Sequence, residues 1–339
     1  MQLSDIDYEL PERLIAQVPI EPRDSARLLV DKGALTPLDA TVRDLTQFLR
    51  DGDVLVVNDT KVVPARLHLA RTTGGAVEVL LLEPLDDTHR DWEALIRPGR
   101  KMKPGEVLYA TDGSEALTVL GRGAKGDTFR ISFVHDDPAS LIARLGEMPL
   151  PPYITQRLDD STRYQTVYAR EAKSAAAPTA GLHFTPELLA AVRAMGVPIA
   201  NVELVVGLDT FAPVTVDDPR DHVIHTERYR VSQSVLDVCH DTQRTGRRVV
   251  AVGTTAARAL ESAATTGLLE GDTNLFIYPG YEWKIVDRLM TNFHMPRTTL
   301  LLMISSFVGQ RWRDIYAEAI ERKYRFLSFG DAMLLDRHA

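Results

Sequence analysis

The chain has 339 residues, 45% hydrophobic and 25% charged, an ordinary globular composition with length enough for two domains. Its net charge of -8 argues against loose binding to nucleic acid, and its single cysteine, Cys239, excludes an internal disulfide or a cysteine-cluster metal site and fits a reducing compartment. No apolar run reaches the length of a membrane span, and the start MQLSDIDYELPERLIAQ carries early acids instead of a signal-peptide core, so a cytoplasmic protein is expected.

In chain order, Pro11 to Gln17 reads as a helical start, and DVLVVNDTKVVPARL, Asp53 to Leu67, as a buried strand interrupted by a polar turn. Asn58, Asp59 and Thr60 stand at the end of that strand, a position that α/β folds use for ligand groups. From His68 to about Leu145 the segments LHLAR, AVEVLLLEPL, WEALIR, EVLYA, EALTVLG and DTFRISFV alternate with glycine-rich turns, the pattern of antiparallel hairpins in a small barrel or sandwich. One of those turns, RPGRKMKPG, sets Arg97, Arg100, Lys101 and Lys103 close together, either as a solvated loop or as an anion contact.

Beyond MPLPPYI, helices and strands alternate: a helix at Pro186 to Met195, the strand-like VPIANVELVV, a helix near Ser232 to Thr245, the strand RRVVAVG and a helix from Thr255 to Thr266. NLFIYPG, the apolar LLLMISSFVG and a closing strand in YRFLSFGDAMLL follow. The expected architecture is a large discontinuous α/β domain, residues 1–67 and 148–339, with a small antiparallel β-barrel domain inserted at 68–147.

Four segments carry groups able to do chemistry. KSAAAPTAGLHFTPELL places His183 among small residues ahead of a helix start, where Thr185 suits the N-cap and Pro186 the first helical position. Its alanines, with Thr179 and Gly181, would let a ligand approach the backbone, although a packed corner with a satisfied histidine accounts for the same residues. RRVVAVGTTAARALES runs from a strand through Gly253 into a helix opened by Thr254 and Thr255, a hydroxyl-rich turn suited to a carboxylate, phosphate or ribose, with Arg258 able to pair an anion or a neighbouring Glu. It is neither a dinucleotide fingerprint nor a Walker loop. DHVIHTERY holds His222 and His225 without a zinc signature, so no metal is expected. MTNFHMPRTTLLLMISSF puts Asn292 and His294 in a polar turn, where they could read a purine edge with Phe293 or a nearby aromatic stacking on it.

Together with DYELPERLIAQ, RDSARLLV, TGGAVEVLLLE, RYQTVYA, LFIYPGY and YRFLSFGDAML, these segments make the whole chain resemble the S-adenosylmethionine:tRNA ribosyltransferase-isomerase family of the queuosine pathway. The resemblance implies an α/β domain with an inserted β-barrel. It also implies transfer and isomerisation of the ribosyl portion of S-adenosylmethionine onto 7-aminomethyl-7-deazaguanine in tRNA, giving epoxyqueuosine, adenine and methionine without a metal. On that footing His183 is the first acid/base candidate and His294 the second. Thr254, Thr255 and Arg258 would hold the methionine carboxylate or ribose, and Asn58, Thr60 and Asn292 the adenine or ribose, beside Thr179 and Gly181. Arg97, Arg100, Lys101 and Lys103 become tRNA contacts.

The chain departs from the family pattern at three places: Val205 stands for a histidine, Asp209 for a glycine and Lys173 for a glycine. Val205 loses a protonatable group and Asp209 adds a carboxylate. These departures admit two other readings: a relative that keeps the fold and S-adenosylmethionine handling but serves another acceptor or cleaves the co-substrate without transfer, and a non-catalytic protein that holds a nucleoside or RNA.

Overall fold

The computed structural model describes all residues except 34–35, 87, 124–126, 208–212 and 339. It divides into two compact units, one of Met1–Lys61 with Pro151–Ala339 and one of Val62–Leu150. This division falls a few residues outside the limits drawn from the sequence, because VVPARL prolongs the apolar run of the strand before it and hides the junction.

The first unit is built on a nine-stranded mixed sheet. Its centre is parallel: Ile199–Leu204, Val54–Asn58, Val249–Val252 and Arg288–Asn292 lie side by side. Ala332–Asp336 joins antiparallel to the last of these, and Arg27–Val30 then pairs parallel to it. Val54–Asn58 and Val249–Val252 are buried along their whole length, which explains their apolar runs: a parallel strand covered on both faces has no polar side to show. Alternation survives in where each side chain goes. Val54 and Val56 enter the core beneath Gly253–Thr266 and Thr299–Val308, whereas Leu55 and Val57 enter the opposite core against Pro186–Ala194.

Helix starts follow their caps. Thr185 accepts from the Leu188 amide at 3.1 Å to open Pro186–Ala194, and Ser232 accepts from the Val235 amide to open Gln233–Arg244. Gly253–Thr266 begins two residues earlier than Thr255, since Gly253 adopts φ +88 and turns the chain directly from strand into helix. The expected helix at Pro11 to Gln17 is absent. Only the single 3-10 turn Glu12–Leu14 forms, because the Leu14 carbonyl and Ala16 amide exchange hydrogen bonds with Phe326 and draw the chain out straight.

The second unit contains a closed barrel of six strands: Arg66–Arg71, Ala76–Pro84, Asp91–Arg97, Phe129–Phe133, Glu115–Arg122 and Val107–Tyr109, the last pairing back onto the first. Closure removes the free edges that short hairpins would otherwise expose. The unit is not all β. Asp137 accepts from the Ser140 amide and caps the helix Pro138–Leu145, after which Gly146–Glu147 pairs with Arg66–Leu67.

One buried carboxylate fixes the approach to the sheet centre. Glu261, fully buried, accepts from the amides of Lys284, Ile285 and Val286 and from the Tyr281 hydroxyl, all within 3.0 Å, and so pins the irregular segment that feeds Arg288–Asn292. Glu261→Ala strands the buried amides of Ile285 and Val286 and should lower the unfolding free energy by roughly 3 kcal/mol or more in denaturant titration, whereas Glu261→Gln, which keeps one acceptor, should cost less.

Candidate functional site

The parallel strands deliver their polar groups to one cleft. Val206 follows Ile199–Leu204, Gly253, Thr254 and Thr255 follow Val249–Val252, and Thr291, Asn292 and His294 end or follow Arg288–Asn292. This is the carboxyl edge of the sheet, where open α/β folds bind ligands. The opposite wall comes from Ala177, Pro178, Thr179 and Ala180, with Tyr153 and Ser328, and the cleft encloses about 610 Å³ counted to its open mouth. Small residues leave the backbone accessible. The hydroxyl of Thr255, in the first turn of the helix, is buried without a hydrogen-bond partner among the described residues, which makes it a polar group able to bond a ligand in the cleft.

A second recess shares Thr254, Thr255 and Leu300 with the cleft and continues along Leu204, Leu275, Ile277 and Met303 to Arg258 and Glu227. Arg258 Nη1 donates to Glu227 Oε2 at 2.5 Å, and its Nη2 donates to the carbonyls of His225 and Thr273. Both side chains are almost fully buried. Burial lowers the Arg258 pKa, with Glu227 opposing that shift, whereas for Glu227 the cost of burial is outweighed by His225, Arg258 and the Gly207 amide, which hold the carboxyl below its ordinary value. Arg258 Nε is buried without a partner among the described residues, a donor free to meet a carboxylate.

The two histidines part company. His294 lines the cleft, its Nε2 3.1 Å from the Thr291 hydroxyl, and its backbone is clamped by Tyr316, which accepts from its amide, and Tyr8, which donates to its carbonyl. His183 does not line the cleft. It lies in the 3-10 turn Thr179–His183 and faces a separate recess with Ile20, Arg23, Arg163, Ser328 and Phe329. Asn292 connects the two places: its Oδ1 accepts from Thr179 Oγ1 at 2.9 Å, and its Nδ2 donates to His183 Nε2 at 3.2 Å and to the Asp331 carbonyl at 3.4 Å.

Thr179, Thr254, Thr255, Asn292 and His294 thus meet in the cleft, and Arg258 lies in the recess that continues it. Asn58 and Thr60 do not reach it. Asn58 gives its amide to the Leu204 carbonyl and takes the amides of Leu204 and Thr60, and the Thr60 hydroxyl also faces the Leu204 carbonyl, so both residues tie two neighbouring strand ends together. Gly181 is small for another reason than ligand approach: a Cβ there would stand 1.9 Å from the Tyr168 hydroxyl. Phe293 is wholly buried against Phe326, Tyr316 and Tyr324 and cannot stack on a ligand. Residues that sequence reasoning missed are Tyr153, Ser328 and Thr291; each sits inside a distinctive segment, but nothing in its type or spacing marks it.

Val205 points away from the cleft that Val206 lines, into a surface recess with Lys173, Glu203, Arg228 and Arg230, where Lys173 pairs Glu171 and Glu203. Asp209 lies outside the described residues. Arg97, Arg100, Lys101 and Lys103 are all exposed, in the turn that leaves the barrel strand Asp91–Arg97. Among the described residues no cluster of three or more His, Cys, Asp or Glu side chains could hold a metal ion; His225 pairs with Glu227, and the His222 ring packs against Phe276.

Burial, assisted by Arg325 and Arg23, pushes the His183 pKa down to about 4, and burial alone pushes that of His294 down to about 3. Both rings are therefore neutral in the folded protein near neutral pH. The unfolded chain takes these protons near the ordinary histidine value of 6.5 and the folded protein does so only far lower, so stability present above that value is lost as pH falls. Urea unfolding at about pH 7 and about pH 5 should show a loss of roughly 2 kcal/mol per buried histidine, and His294→Gln should remove its share of the slope.

Comparison with known proteins places this cleft in context. The family described as queuosine biosynthesis protein matches residues 3–335. Proteins named S-adenosylmethionine:tRNA ribosyltransferase-isomerase from Symbiobacterium thermophilum, Moorella thermoacetica and Staphylococcus epidermidis are 50%, 49% and 46% identical to the chain, each match spanning 99% of this chain and 100% of the relative. The crystal structure of the S-adenosylmethionine tRNA ribosyltransferase of Thermotoga maritima, 37% identical, superposes with a TM-score of 0.56 over 97% of this chain and 99% of that one.

Proposed function

The chain belongs to the queuosine biosynthesis protein family, and on that premise we propose that it is an S-adenosylmethionine:tRNA ribosyltransferase-isomerase acting on tRNA that carries 7-aminomethyl-7-deazaguanine. The observation that carries this reading for the site is the cleft at the carboxyl edge of the parallel strands, which joins a small-residue wall, a buried hydroxyl without a partner among the described residues and a neutral imidazole. The position of Val205 outside that cleft weakens the case for a different acceptor, since the lost histidine is not among the cleft walls.

S-adenosylmethionine is the co-substrate in this reading. Its adenosyl portion occupies the cleft beside Thr179 and Asn292, and its methionyl portion runs into the apolar second recess, where the carboxylate meets Thr254, Thr255 and the free Nε of Arg258. The sulfonium acidifies the adjacent 5′ carbon, and His294, neutral and hydrogen-bonded to Thr291, removes a proton from it. The imidazolium so formed is a strong acid in this buried place and returns the proton to the departing adenine. The amine of the acceptor base attacks the ribosyl carbon and releases its own proton, and methionine leaves as a thioether while the epoxide closes. Among the described residues no helix is long and apolar enough to cross a membrane, and a tRNA substrate fits a cytoplasmic site of work.

Incubation with S-adenosylmethionine alone, then with tRNA bearing the deazaguanine base, tests the reading: adenine and methionine should appear only when the tRNA is present. Release without tRNA would point to another acceptor, and no release in either case to a binding protein. His294→Gln should lower turnover about a hundredfold or more while S-adenosylmethionine still binds. The exposed basic turn of the barrel unit supports RNA contact, and exchanging Arg100 and Lys101 for Glu should weaken tRNA binding and flatten its salt dependence in parallel.

A further inference from the structure

The recess that holds His183 has no part in the steps above, yet it adjoins the cleft at Ser328, whose side chain lines both and is held 2.7 Å from the Tyr153 hydroxyl. Its turn is rigid. Asp331 accepts from the amides of Arg27 and Arg325, and a Cβ at Gly330 would stand 2.4 Å from the Arg325 carbonyl, so the loop presenting Ser328 and Phe329 allows no alternative side chain at its apex.

Two guanidinium groups line the recess and are fixed in place. Arg23 donates to the carbonyls of Gln165, Leu182 and Thr162 at 2.8, 3.2 and 3.0 Å, bonds that orient the guanidinium, and the carboxylates of Glu21 and Asp160 lie near enough to act on it. Arg163 donates to the Ile20 carbonyl and pairs with Glu21, which is itself well exposed. The His183 ring lines the same recess, and its Nε2 accepts from Asn292; in the neutral ring the remaining proton then sits on Nδ1. Such walls suit a flat, hydrogen-bonding heterocycle with a phosphate beside it, and they contain no carboxylate among the lining residues to repel that phosphate.

Building on the reading above, we propose that this recess is the acceptor subsite, which takes the deazaguanine base of the tRNA with its flanking phosphate on Arg23 and Arg163 and directs the aminomethyl group past Ser328 into the cleft. His183 is then a positioning residue and not the acid or base: it orients Asn292, whose other side bonds Thr179 in the cleft, so that the acceptor and the co-substrate are registered by one amide.

The test uses the full-length protein, S-adenosylmethionine, and an anticodon stem–loop RNA carrying 7-aminomethyl-7-deazaguanine. Ile20→Trp fills the recess from its rim and Arg163→Gln removes one cation. Each should leave S-adenosylmethionine affinity within about twofold while lowering RNA affinity and raising the KM for RNA about tenfold or more. Equal RNA binding by both variants and the wild type would overturn the proposal, as would loss of S-adenosylmethionine binding by Arg163→Gln with RNA binding intact. Failure of the wild-type protein to bind S-adenosylmethionine would instead overturn the functional reading on which the subsite rests. His183→Gln should reduce kcat without shifting the pH profile, whereas disappearance of a titrating limb in that variant would restore His183 as the proton-transfer group.

Discussion

The side-chain amide of Asn292 is the constraint on which the site depends. It stands at the end of a central strand, buried, with its oxygen facing a hydroxyl and its nitrogen facing an imidazole and a main-chain carbonyl. The carbonyl of Asp331 can only accept, so the nitrogen must point that way, and the orientation of the whole group follows. Three segments remote in sequence are thereby set against one another: the turn at Thr179–His183, the strand Arg288–Asn292 and the loop before Ala332–Asp336. Because the imidazole can accept this bond only when neutral on that nitrogen, the low pKa of His183 and the geometry of the amide reinforce each other.

Much of this was readable from the residues. The hairpin spacing between His68 and Leu145 corresponds to the barrel strands, and the caps Thr185 and Ser232 mark real helix starts, since both signals are local. Pro11 to Gln17 misled because its backbone partner is Phe326, at the far end of the chain. Polar groups at a strand end are ambiguous in the same way: Asn58 and Thr60 look like ligand contacts, yet their partner is the Leu204 backbone of the next strand. Gly181 announces that something comes close but not that it is the Tyr168 hydroxyl. The substituted histidine position raised doubt about the chemistry, and strand parity sets Val205 outside the cleft, since neighbouring residues face opposite ways and Val206 lines it.

Arg258 illustrates the limit of spacing arguments in another form. The sequence allowed either an anion or a glutamate as its partner, and the structure supplies Glu227 from 31 residues away while leaving Nε unpaired among the described residues. A desolvated ion pair of this kind adds little net stability, but loss of one member leaves the other charge stranded in a poor solvent. Its value here is directional. It holds a cation still one turn along the helix that opens with Thr254 and Thr255, with the carboxylate balancing its charge and not occupying all its donors.

The barrel unit carries a different kind of consequence. Residues at its two ends are partners in one ladder, Arg66 with Glu147 and Leu67 with Gly146, so the polypeptide enters and leaves as adjacent strands, roughly 5 Å apart. A module with such neighbouring termini behaves in a genome as a cassette: it can be gained, exchanged or deleted in one recombination event, and the chain that receives it pays a closure entropy no larger than that of a short hairpin.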